Sequence, residues 1–250
     1  MVRNGEEIDP KVRKVWCVMK KNLLCAVAVF VIAGLCAGAV QAGSREVRKV
    51  ESCIEILSEI MEIPEQGMPP ALLNDAWGVA IIPNLIKAGF IFGGRYGTGV
   101  LVVHSEDHGW SNPVFVSLAG GSFGWQIGAQ AIDVILVFKT KRSLDAITSG
   151  KFTLGADASV AAGPVGRYAG AATDIQLKAE IYSYSRTRGL FAGIALDGAV
   201  LQIDYKANSA FYDMAGLLPM QILTSKEIQA PPVAEDLKKT LTRYASQPGG

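Results

Sequence analysis

Residues 77–103 read WGVAIIPNLIKAGFIFGGRYGTGVLVV. Three short apolar runs stand out: Gly78-Val-Ala-Ile-Ile82, Ala88-Gly-Phe-Ile-Phe92 and Gly99-Val-Leu-Val-Val103. Each is too short for a helix and is bounded by Gly, Pro or Asn, the usual punctuation of strands. A parallel pair of strands needs a crossover of about a dozen residues or more. These runs follow one another too closely for that, so antiparallel pairing is expected.

The same pattern continues down the chain. Val114-Phe-Val-Ser-Leu118, Ile132 to Phe138, Phe152 to Ala156, Ile181 to Ser185 and Leu190 to Leu201 read as strands. Glu106-Asp-His-Gly109 and Asp197-Gly198 read as turns, and Arg186-Thr-Arg-Gly189 as a hairpin tip. Helical spacing occurs mainly before this region. Val47, Val50, Ile54, Leu57 and Met61 form a stripe predicting a helix over 45–63, stopped by Pro64 and Gly67. Pro70 opens a second short helix, Ala71 to Ala76. Short helices are also expected over Arg142 to Ser149, closed by Gly150, and over Asn208 to Met214. After Pro231 the sequence turns polar, with one short helix over Ala234 to Tyr244 and a disordered end. Strands joined directly, with few helices between them, define an α+β fold. Its core is expected as a mostly antiparallel β sandwich or partly closed barrel, with N-terminal helices and short flanking helices. The segments are 1–42, 43–76 (N-terminal helices of the domain), 77–215 (strand-rich core) and 216–250 (a partly disordered tail).

Residues 1–42 read as an export segment. Met19-Lys-Lys21 opens a run without charge from Asn22 to Ala42, apolar from Leu23 to about Leu35 and ending Val40-Gln-Ala42. Small side chains at Val40 and Ala42 suit signal-peptidase cleavage after Ala42; residues 1–18 fit neither a signal nor a core, and a start of synthesis at Met19 is one reading of them. An uncleaved anchor and a lipid-modified Cys36 are the alternatives. The localisation expected is exported, periplasmic or envelope-associated. Removing residues 1–42 changes the formal charge from +1 to −2, so nucleic acid is not an expected partner. Of four cysteines only Cys53 lies beyond Ala42, which leaves no internal disulfide and no metal-ligand spacing.

Two motifs resemble catalytic or phosphate-binding signatures and fail on context. Gly120-Gly-Ser-Phe-Gly124 fits the nucleophile-elbow pattern, but His104 and His108 both precede Ser122, the reverse of that fold's order. Gly93-Gly-Arg-Tyr-Gly-Thr-Gly99 lacks the Gly-Lys-Ser/Thr ending of a phosphate loop, and no helix follows it. No enzyme chemistry and no cofactor are expected. What remains are basic residues near turns: Arg95 in the Gly loop, Lys139, Lys141 and Arg142 at a strand-to-helix junction, Arg167 after Gly163-Pro-Val-Gly166, and Arg186 and Arg188 on a hairpin tip. Brought onto one face they would hold an anionic head group through charge-assisted hydrogen bonds.

The sequence resembles the SYLF domain family, also described as a family of actin regulators, from about Ser44 to Tyr212. The resemblance rests on Gly78 to Gly99, Trp110-Ser-Asn-Pro113, Gly124 to Asp133, Ser159-Val-Ala-Ala-Gly-Pro-Val-Gly-Arg167 and Tyr184 to Gly193, in the family's order. Trp77 departs from the pattern, which has a basic residue in the run before Gly78. The resemblance implies lipid binding, to phosphoinositides in eukaryotic members, and actin-patch association in yeast members beside SH3 or FYVE modules. The expected function is therefore a non-enzymatic lipid-binding module of the bacterial cell envelope, its partner phosphatidylinositol or another anionic lipid at a membrane surface. A periplasmic structural or protein-interaction domain with an envelope protein partner is the alternative. Actin regulation would come by family transfer only.

Overall fold

A computed structural model describes residues 43–63, 67–89, 92–105, 109–123, 128–148, 150–163, 179–187, 190–191, 196–225 and 227–247. The export segment, Arg167 and Arg188 lie outside these residues. Residues 45–250 gather into one compact unit.

Among the described residues ten strands form one curled sheet, a half-barrel. They are β1 (Gly78–Gly89), β2 (Phe92–Ser105), β3 (Gly109–Trp110), β4 (Val114–Phe123), β5 (Gly128–Phe138), β6 (Lys151–Thr153), β7 (Val160–Ala162), β8 (Ile181–Thr187), β9 (Leu190–Phe191) and β10 (Val200–Ile203). The spatial order is β6-β10-β4-β2-β1-β5-β8-β7, with β3 on β2 and β9 on β8. All pairs are antiparallel except β7 with β8. Of the two architectures expected, the partly closed barrel is the one formed. The β1–β2 hairpin closes at the same end of the sheet as β4 ends and β5 begins, with β1 and β2 lying between those two strands: Gly89 pairs with Gly93 and Gly128, and Phe92 with Phe123. We call that end of the sheet the tip and the end near Gly78 and Phe138 the base.

Among the described residues the helices are α1 (43–61), α2 (Pro70–Asn74), α3 (Lys141–Thr148), α4 (Tyr205–Tyr212), α5 (Pro219–Thr224) and α6 (Pro232–Ala245). Pro opens α2, α5 and α6, where its missing N–H costs no helical bond. The helix expected over 45–63 is α1, but its buried stripe is Val50, Cys53, Leu57 and Ile60. Cys53 Sγ donates to the carbonyl of Ile81 at 3.6 Å, and Phe211 of α4 packs on Phe115 with ring centroids 5.0 Å apart. Together α1 and α4 cover one face of the sheet at its base. Asn208 of α4 is buried and carries the ladder past the end of β10: its Oδ1 accepts from the Phe115 N–H at 2.8 Å.

Three sequence expectations need correction. The stretch Gly93–Gly99 is not a loop but the body of β2. Its glycines make room for close neighbours: a Cβ on Gly99 would sit 1.9 Å from the Ile81 carbonyl oxygen, and one on Gly97 2.9 Å from Ile82 Cγ2. Runs 78–82 and 88–92 are not separate strands either; β1 spans 78–89 through a bulge. There Asn84 adopts φ +50 and its N–H donates to Asp133 Oδ1 at 2.9 Å. Finally, the described part of the last segment, 216–225 and 227–247, is packed on the domain, and the helix expected over 234–244 is present within it. That segment carries α5 and α6, and α6 buries Val233, Ala234, Leu237, Leu241 and Tyr244 in the common core. Scattered polar residues on the outer side of α6 hide that apolar stripe from a reading of composition.

Candidate functional site

The junction that leads from β5 into α3 builds one wall of a cleft at the base. Thr140 starts the helix, its Oγ1 lying 2.7 Å from Ser143 Oγ and 3.4 Å from the Ser143 N–H nitrogen it accepts from. Leu144 then packs on Gly78, where a Cβ would come within 3.0 Å of the Leu144 side chain. One helical stripe, Lys141, Leu144, Asp145 and Thr148, lines the cleft. The opposite wall is Met220, Leu223 and Thr224 of α5; the floor is Trp77, Val103, His104 and Ser105. The cleft holds about 660 Å³.

Trp77 and Met220 keep 41% and 49% of their surface exposed, high for large apolar residues. Trp77 is held by its backbone: its N–H donates to Phe138 O at 2.8 Å and its carbonyl accepts from the His104 N–H at 2.9 Å. His104 stacks on Trp110 with centroids 4.6 Å apart. Leu218 and Met214 extend the exposed apolar surface beyond α5. Lys141 and Arg142 are exposed, whereas Lys139 is half-buried and pairs with Asp75 at 3.6 Å. The cleft thus combines apolar walls with one lining cation, Lys141, and Asp145 moderates its charge.

The structure does not gather the sequence-predicted cations into one patch. Lys139, Lys141 and Arg142 share the base. Arg186 stands in β8 one pair below the turn of the β8–β9 hairpin, where it pairs with Phe191; its side chain is taken by Glu59 of α1 and lies 3.7 Å from Asp133. Asp133 is five residues along β5 from Phe138, so Arg186 stands ~17 Å from the base. Arg95 is in register with Lys87, still nearer the tip. Its guanidinium donates to the Gly121 carbonyl at 2.8 Å, and partial burial lowers its pKa against the raising field of Asp197. Three levels along a strand cannot serve one head group. Trp77 and the α5 residues were missed as site residues. Their signal was an apolar residue where the family pattern places a base, and a Met-rich run around Pro219.

Among the described residues no group of His, Cys, Asp or Glu is placed to hold a metal ion. Ser122 lies in β4, not on a strand-to-helix turn. Among the same residues no helix is long and apolar enough to cross a membrane. Cys53 is fully buried, and burial pushes its thiol pKa up to about 12, so it is no nucleophile at neutral pH.

A single sheet flanked by short helices, with an amphipathic cleft at one end, is the framework of a binding domain. The family described as Las17-binding protein actin regulator, Ysc84, matches residues 119–244, from the middle of β4 through α6. LAS seventeen-binding protein 3 of Saccharomyces cerevisiae is 35% identical over 184 residues, which covers 72% of this chain and 39% of that protein. SH3 domain-containing YSC84-like protein 1 is 32% identical over 185 residues in Xenopus laevis, covering 74% and 55%, and 31% over 205 residues in Mus musculus, covering 80% and 59%. The chain belongs to this Ysc84, or SYLF, family of actin regulators. It spans about two fifths of the length of the yeast relative and under two thirds of the other two.

Proposed function

We propose that this chain is a non-enzymatic binding module of the cell envelope whose cleft beside Trp77 takes an anionic amphiphile. The observation that carries this reading is the exposure of Trp77 and Met220 in the cleft that Lys141 also lines. Apolar walls receive hydrocarbon, and the lining cation meets the negative head group. Each desolvated methylene contributes about 0.8 kcal/mol and each surface cation about 1 kcal/mol. Arg186 adds little, because two carboxylates already balance it. An anionic lipid is the ligand class this combination fits, and a membrane surface its source.

Vesicle flotation of the chain from Gly43 onward tests the reading. Flotation with vesicles containing phosphatidylglycerol, weakened by salt and lost in a K139Q/K141Q/R142Q protein, supports it. Flotation unchanged by those substitutions and by Trp77→Ala sinks it.

A second reading is a protein-interaction domain. The relatives' names, Las17-binding among them, support it, as does the Met-rich rim formed by Met214 and Met220. Actin-linked binding would then be the inherited property. A stoichiometric protein partner without any lipid retention would favour it.

A further inference from the structure

A second groove, of about 730 Å³, lies against α5 and shares Thr224 with the Trp77 cleft. Its apolar lining is Met214, Leu217 and Ile228, and its charged lining is Asp213 and Glu227. Among the described residues no Lys, Arg or His lines it, and neither carboxylate makes an ion pair. Lys226 lies outside those residues. Both acids are exposed, Met214 keeps 48% of its surface, and Leu218 beside it in sequence keeps 57%. Tyr212 and Thr224, the last residues of α4 and α5, also line the groove. The carboxyl end of a helix carries up to about half a negative charge. The groove therefore joins apolar surface to negative charge.

Asp213 is unfavourable where it stands. It closes α4 in the left-handed conformation, φ +50 and ψ 37, a position that favours Gly. Its carboxylate sits at the negative end of the helix, where a cation would stabilise and an anion does the reverse. Its N–H donates to Ser209 O, a bond that any residue except Pro could make. A residue that breaks two local rules with no local compensation marks a functional position.

Charge and shape decide the occupant. An anionic amphiphile would set its own charge against both carboxylates. A small amine would leave Met214, Leu217 and Ile228 uncovered. Exposed Met side chains adapt to aliphatic groups of varied shape, and grooves lined by them take amphipathic peptide segments. A segment with aliphatic residues on one side and Lys or Arg beside them satisfies both halves of the lining.

From these observations we infer that the groove at the ends of α4 and α5 docks a basic amphipathic segment of a partner protein. Its aliphatic side chains lie on Met214, Leu217 and Ile228, and its cations meet Asp213 and Glu227. The inference rests on the protein-interaction reading, to which it gives a surface and a partner chemistry. It is independent of what the Trp77 cleft takes.

The test titrates the full chain into a fluorescently labelled amphipathic peptide of Leu and Lys, about 18 residues long so that it can form a helix, and reads anisotropy. A peptide with Glu in place of Lys and one with Ser in place of Leu serve as controls. The expected result is binding of the Leu/Lys peptide alone, weakened by salt. D213N/E227Q should lower its affinity about tenfold, the sum of two exposed charge pairs. Asp213→Gly should lower it about threefold without lowering the urea midpoint of unfolding, a split that a merely structural role would not give. No binding, equal binding by D213N/E227Q, or binding of the Glu peptide overturns the inference. So does a loss of affinity in Lys226→Gln, which would mean that the groove reads an anion. A loss in Lys141→Gln would move the peptide to the Trp77 cleft and overturns it too. Displacement by equimolar spermidine marks a small-polyamine site instead. A protein partner captured by the chain but indifferent to D213N/E227Q keeps the protein-interaction reading and sinks this groove.

Discussion

The base and tip halves of β1, β2 and β4 share strands and one continuous face, but their surroundings differ. At the base Val79, Ile81, Val100 and Phe115 are buried under α1 and α4. Toward the tip Ile86, Ala88 and Tyr96 continue the same face and are exposed. The boundary is the bulge at Asn84. Beyond it β1 changes from a continuous apolar run to an alternation of Ile86, Lys87 and Ala88. A strand buried on both faces needs apolar residues at every position; one buried on a single face needs them at every second position. The comparison teaches that burial and exposure of a sheet can be divided along the strands as well as between faces.

Substitutions should separate the two halves. Gly99→Ala drives a Cβ into the Ile81 carbonyl and should cost about 4 kcal/mol or prevent folding; a loss below about 1 kcal/mol in a urea titration would show that the strands can part there. Leu57→Ala removes a fully buried contact between α1 and the sheet and should cost about 3 kcal/mol by the same measurement. Asn208→Ala leaves the Phe115 amide without its buried acceptor and should cost about 2 kcal/mol.

Cys53 gives a pH-dependent version of the comparison. Its folded pKa is raised from 9.0 to about 12 by burial. Its contribution is therefore fully present below pH 9 and is lost as pH rises through that window, by at most about 1.4 kcal/mol per pH unit. Stability measured from pH 8 to 11 should fall less steeply in Cys53→Ala; identical slopes would show that the thiol is not sealed under α1. At the small end, Ile86→Ala at the tip should change stability by less than about 0.5 kcal/mol. A larger loss would mean that the tip face is covered in solution.

Much of the fold was legible in residues whose spacing has one physical reading. Val50 and Leu57 marked a helix, and the 78–82 and 99–103 runs marked paired strands. The Gly-rich stretch 93–99 misled, because glycine signals a loop by its freedom and a strand by its small size, and only the approach of Ile81 tells which applies. The helix over 234–244 was legible, but the charges between its apolar positions obscured its packing on the core. Of the candidate site, Lys141 and Arg142 were found from their place at a strand-to-helix junction. Arg186 was read from its place on a hairpin tip, yet Glu59, 127 residues away in the chain, takes its charge.

The amino-acid sequence by itself determined the family, the antiparallel strands and the helix before them, because periodicity and turn chemistry act over a few neighbouring residues. Tertiary structure alone decided which cations stand together, why Gly97 and Gly99 must be glycine, and which half of one sheet face stays bare. Those properties depend on distances between residues far apart in the chain, which local pattern does not encode.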